Sequence, residues 1–188
     1  MKTLIAAFLF LRLLVPGWAA DDYEQHVKNL AAGTPEKDIE ASLRALKAAG
    51  TAAFPTLIAH FTDAALAEPK FFQREVVVKV NDQIVGLFAP RIGDACFDIL
   101  QGQIEGNWPK GYRAHYVLSP INAKQWLDAH KGLTLPQLQR ASREESLRNA
   151  EAAFAKDPSA KYLQGDIAFL KKEIEALKRD NENQSSAK

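Results

Sequence analysis

Apolar residues recur along most of this chain at helical spacing. Ile39, Leu43 and Leu46 stand four and three apart, one face of a helix. Thr34-Pro35-Glu36 just before them supplies a hydroxyl cap, a proline at the first helical position and an acid in the first turn. Gly50 closes that helix, and Gly33 stops a shorter one over Tyr23 to Ala32. Thr51 is placed to cap a third helix with Phe54, Leu57, Ile58 and Phe61 on one side. Pro55 fits only near its start, where a missing N–H loses no partner. Gly93-Asp94 opens another helix, with Asp94 as cap, Phe97, Leu100 and Ile104 as its apolar face and Cys96 beside them. Ser119-Pro120 begins a helix through Trp126 and Leu127 that Gly132 ends. Thr134-Leu135-Pro136 opens a long one to about Lys156, and Asp157-Pro158-Ser159 breaks it.

Two stretches depart from this rhythm. Phe71, Phe72 and the run Val76 to Val80 are aromatic and β-branched, Asn81-Asp82 is a turn signal, and Gln83 to Phe88 follows. This predicts a short β-hairpin insert at about 71–88. Gly106 to Leu118 has no helical period and reads as the longest irregular segment. The last helix carries Leu163, Ile167, Leu170, Ile174 and Leu177 at spacings of four and three, with Asn181 on the next position. Ile at a, Leu at d and a polar Asn at a are the marks of a parallel two-stranded coiled coil. Asp166 with Lys171 and Glu173 with Lys178 add complementary g and e charges. These six seam residues are candidate dimer contacts. The alternative is that the helix packs on its own domain, and Phe169, off the seam, also wants burial.

Leu43, Leu46, Gly50, Ala53, Pro55, Leu57, Ile58, Phe61 and Asp63 reproduce a helix, a glycine turn, a second helix opening with proline, and an acid after it. Residues 36–63 thus resemble one HEAT-like helical repeat, as in small exported proteins of unassigned activity. The resemblance implies antiparallel helix pairs and a protein-binding role, and no reaction. The fold class expected is mainly α: HEAT-like antiparallel helix pairs, the hairpin insert and a C-terminal helix of coiled-coil character.

The N-terminus carries an address. Lys2 precedes an apolar run from Leu4 to Val15, broken only by Arg12. Pro16-Gly17 ends the run, and small residues stand at −1 and −3 for cleavage after Ala19. The run is shorter than the ~20 residues that span a bilayer. The organisation expected is a signal peptide over 1–19, a helical domain over 20–158, a C-terminal helix over 159–181 and a disordered tail over 182–188. The whole chain of 188 residues has 24 basic and 23 acidic side chains. Loss of Lys2 and Arg12 leaves 22 against 23, a net charge of −1. Such a chain gains little from electrostatic steering, which excludes nucleic acid as the main partner, and no stable membrane anchor is expected after cleavage. A single cysteine allows no disulfide within the chain.

Candidate chemistry is sparse. His26, His60, His115 and His130 show no i, i+4 pair and there is no Cys-x-x-Cys, so neither a metal nor another cofactor is expected. Nucleophile elbows, phosphate loops and dinucleotide fingerprints are absent. Acids such as Asp82, Asp94, Asp98 and Glu105 read as caps and solvated faces. The unusual segment is 107–116, which mixes Trp108, Tyr112 and Tyr116 with Lys110, Arg113 and His115. Trp, Tyr and Arg dominate binding hot spots, and loops on rigid scaffolds carry function. The function expected is a non-catalytic module that binds another exported protein. The alternatives are a small envelope hydrolase or transferase, with Cys96 as the nameable nucleophile, and a structural homodimer through the last helix.

Overall fold

The structure, a computed structural model, describes residues 20–72, 78–80, 83–86, 89–106 and 108–186. The expected signal peptide, 1–19, lies outside the described residues. Helix α1 is Ala20–Lys28 and α2 is Glu36–Ala49. A 3₁₀ turn, Gly50–Ala53, leads into α3, Phe54–Ala59. Then come α4, Ile92–Ile104, α5, Ala123–Ala129, α6, Leu135–Lys156, and α7, Tyr162–Ser186.

Local chemistry explains most ends, with some shifts from expectation. Thr34 does not cap α2: its N-cap position is Pro35, and no side-chain cap bond forms. Asp94 stands inside α4, where its carboxylate accepts the Arg91 N–H at 3.0 Å. At α6 the Gln137 side chain accepts the Thr134 N–H at 2.8 Å, and Pro136 stands in the first turn. Gly50, at φ 57°, turns the chain out of α2 as expected.

The core gathers around α4, which packs on α2, α3 and α6. Ile39 and Leu46 of α2, Leu57 of α3 and Leu100 of α4 are fully buried there. Phe54, Phe97, Leu118, Trp126 and Leu138 close around them. Gly93 is what lets α3 and α4 approach. A β-carbon there would collide with the Phe61 carbonyl oxygen and lie 3.1 Å from that of His60.

Of three expectations, two need correction and the HEAT resemblance is not confirmed. The fold is mainly helical, and the β-hairpin insert over 71–88 is not part of it. Phe72 is buried in the helical core and Phe71 packs against it, so these aromatics serve the helices and not a strand. Residues 73–77, 81–82 and 87–88 lie outside the described residues. What remains among the described residues is a short antiparallel contact of Val78–Val80 with Gln83–Gly86, with a register shift.

The second expectation, the HEAT-like resemblance over residues 36–63, concerns helices α2 and α3. Helix α3 is only six residues long and packs chiefly on α4 and α1. The antiparallel pair that a HEAT unit would require is not established.

The third expectation concerns the C-terminal helix, which is half of an intramolecular hairpin. Helices α6 and α7 pack along their length, with Glu151 and Lys171 paired across them at 2.9 Å. Leu163, Leu170 and Ile174 are buried, at 3 %, 0 % and 5 % exposure, and Ile167 and Leu177 are half-buried. The seam faces the chain's own α6. Helix α7 continues to Ser186, past the expected end at 181. The side chain of Asn181 lies outside those described, as do residues 187–188. Among the described residues no helix is long and apolar enough to cross a membrane.

Candidate functional site

The irregular segment after α4 lies across the α6–α7 hairpin as a strap. It begins at Gly106, whose φ of 61° turns the chain away from α4. It ends at Leu118, buried in the core. Glu105, the residue after α4, ties the two ends together. It is 1 % exposed, and one carboxylate oxygen accepts the Val117 N–H at 2.6 Å, the Leu118 N–H at 3.2 Å and the Ser142 hydroxyl at 3.2 Å. Asn122 and Gln101 donate to the Val117 and Leu118 carbonyls at 2.9 and 3.1 Å. The backbone of the returning strap is thereby satisfied, as burial demands.

Arg143 of α6, also buried, donates to the Glu105 carbonyl oxygen and sits 5.2 Å over the Trp108 ring. Burial pushes the Glu105 carboxyl above the usual carboxylate range. Hydrogen bonds from Val117, Leu118, Gln101 and Ser142 oppose that shift. Burial pulls the Arg143 guanidinium down, against the attraction of Glu173 and Glu105.

The middle of the strap is held by α7. Asp166, 2 % exposed, has one oxygen 2.8 Å from His115 Nε2, and its other accepts the Arg113 N–H at 3.3 Å. From α6 the Ser146 hydroxyl donates to the His115 carbonyl at 2.7 Å. Phe169, the off-seam aromatic, lies under the strap, with its ring 5.3 Å from Trp108 and 5.0 Å from Tyr112. Trp108 in turn meets His115 at 5.6 Å and Tyr116 at 6.5 Å, both edge-on. The Arg113 guanidinium stacks 4.2 Å from the Tyr162 ring.

The six candidate residues of the strap therefore form one cluster with two jobs. Trp108 and His115 are half-buried anchors. Lys110, Tyr112, Arg113 and Tyr116 face solvent, and Tyr162 of α7 joins them. The anchoring roles of Glu105, Ser142, Arg143, Ser146, Asp166 and Phe169 went unassigned in the sequence. Asp166 stood as a coiled-coil flank charge paired with Lys171, whereas Lys171 pairs with Glu151. The wish of Phe169 for burial was the one usable signal.

The outward face can stack on flat or apolar groups and donate charged hydrogen bonds. Cys96 is fully buried in α4, and burial pushes its thiol up to about 12. A thiol so protonated is a poor nucleophile, so Cys96 does not supply the nucleophile that the hydrolase or transferase alternative, resting on scattered His, Cys and acids, could name. Among the described residues no group of three or more His, Cys, Asp or Glu side chains is arranged to hold a metal ion. The chain matches no family model, no curated protein and no solved structure.

Proposed function

We propose that this protein is an exported, non-catalytic interaction module that binds another exported protein through the strap. One observation carries this reading. Tyr112 and Tyr116 are 41 % and 46 % exposed on a segment whose backbone is tied down at Glu105 and Asp166, and Tyr162 of α7 is 46 % exposed beside them. Large aromatics held out by a rigid support combine a large contact area with little ordering cost on binding. Arg113, stacked on Tyr162, is fixed in the same way. Export rests on residues 1–19, whose pattern is that of a cleaved signal peptide.

The test is a photo-reactive amino acid placed at Tyr112, at Tyr116, or at Arg44, an exposed side chain of α2. Irradiation of the exporting cells should give one defined heavier adduct from positions 112 and 116 and none from 44. Equal labelling at all three positions, or none at 112 and 116, overturns the reading.

A further inference from the structure

The α6–α7 hairpin has a second outward face that the strap leaves bare. At roughly 100° per residue, Tyr162, Asp166 and Phe169 share one side of α7, and Gln164, Lys171 and Lys178 share the opposite side. A trough runs between the helices on that opposite side. One part, of about 510 Å³, is floored by Leu147 and Ile174. The next, of about 450 Å³, is floored by Phe154, Ile167 and Ala168. Lys171 borders both, and its ion pair with Glu151 crosses between the helices where the two apolar-floored parts meet.

Its rims carry charges that alternate in sign. On α6 these are Glu144, Arg148 and Glu151, and on α7 they are Lys178, Glu175 and Lys171. The Glu151–Lys171 pair sets the level of one helix against the other. One turn further, in opposite chain directions, Arg148 comes level with Glu175. One more turn brings Glu144 level with Lys178. Every level therefore holds one acid and one base.

We propose that this groove is the interface of a homodimer, occupied by the same groove of a second copy. A two-fold axis running along the hairpin sets α6 of each copy over α7 of the other and keeps the levels. Glu144 then meets Lys178, Arg148 meets Glu175 and Glu151 meets Lys171 across the interface, each pair twice. The alternation that matches the two rims of one chain thus matches two chains as well. The result is a four-helix bundle over the apolar floor. The two straps face away from the bundle, so dimer formation and strap binding are independent.

Charge reversal tests this. Sedimentation of the full mature chain at high micromolar concentration should give twice the mass of one chain. Arg148→Glu and Glu175→Arg each set like charges against each other in a homodimer, and each variant alone should sediment as a monomer with an unchanged helical circular dichroism spectrum. Mixed in equal amounts, the two variants place an acid opposite a base at both of these contacts, and a heterodimer should return. A wild-type chain that stays monomeric overturns the proposal. So do single variants that remain dimeric, or a mixture that fails to reassociate, which would confine the charges to a role within one chain.

Discussion

Asp166 and His115 are 51 residues apart in the chain, and a carboxylate oxygen of one lies 2.8 Å from Nε2 of the other. This contact, with the Arg113 N–H on the second oxygen, fastens the strap to α7 at its midpoint. Asp166 is buried and His115 is mostly so. Removing one partner strands the other inside. Asp166→Ala should lower unfolding stability by about 2 kcal/mol, as when a buried hydrogen-bonding group is left without its partner. It should also release the strap, with trypsin cutting after Arg113 in the still-folded protein. Denaturant titration and timed proteolysis measure the two effects.

Glu105 gives a pH dependence of defined sign. Its carboxyl is raised above its ordinary value, so the folded state favours the protonated form. Its contribution is most favourable below the ordinary carboxylate range and is lost as pH rises through the raised value. Glu105→Gln keeps an acceptor for the Val117 and Leu118 N–H groups and removes the ionisation. The stability of the variant relative to wild type should therefore improve from pH 4 towards pH 7. A difference that is flat with pH would show that the buried carboxyl is not perturbed.

His60 has the same sign of pH dependence from a different cause. It bridges Glu24 of α1 at 2.8 Å and Asp63 at 3.2 Å. Burial pulls its pKa down, but the hydrogen bonds and charges of the two acids outweigh this and raise it. The stabilisation is fully present below about 6.5 and fades as pH rises through the raised folded value. Proton NMR should show the His60 imidazole titrating above 6.5 in the wild type. Its value should move down in Glu24→Gln.

Cys96 should resist alkylation in the folded protein at neutral pH and react at once in denaturant. Its thiol is fully buried and pushed up to about 12. Fast labelling without unfolding would contradict the burial described for α4.

Gly93→Ala should cost about 3 kcal/mol, the upper end for overpacking, because the new methyl meets backbone at Phe61 and not a side chain that can swing away. Thermal unfolding measures the loss.

The sequence showed what local chemistry decides. Thr134 and Pro136 mark the start of α6, Gly50 marks the end of α2, and the missing period after Gly106 marks the strap. It did not show what distant partners decide. Glu105 and Asp166 look like surface acids because nothing within a few residues of either reveals Val117, Ser142 or His115. The heptad over 163–177 reports an apolar stripe without naming its partner, and α6 takes that place. The aromatic Phe71-Phe72 pair reads as strand because β propensity and core packing favour the same residue types. Tertiary burial of Phe72 against the helices decides the matter.

The central claim is that the strap is a recognition surface, and one capture experiment addresses it most directly. Tagged wild type and the Tyr112→Ala/Arg113→Ala variant are each passed through extract of the exported compartment, and the retained proteins are quantified by mass spectrometry. The substitutions remove the Tyr112–Phe169 and Arg113–Tyr162 ring contacts, but they keep the Glu105 hydrogen bonds, the His115–Asp166 contact and the backbone N–H of residue 113 on Asp166, which fasten the strap. The account expects a defined protein retained by wild type and lost at least tenfold with the variant, a change of about 1.4 kcal/mol or more. Equal retention by both chains would contradict it.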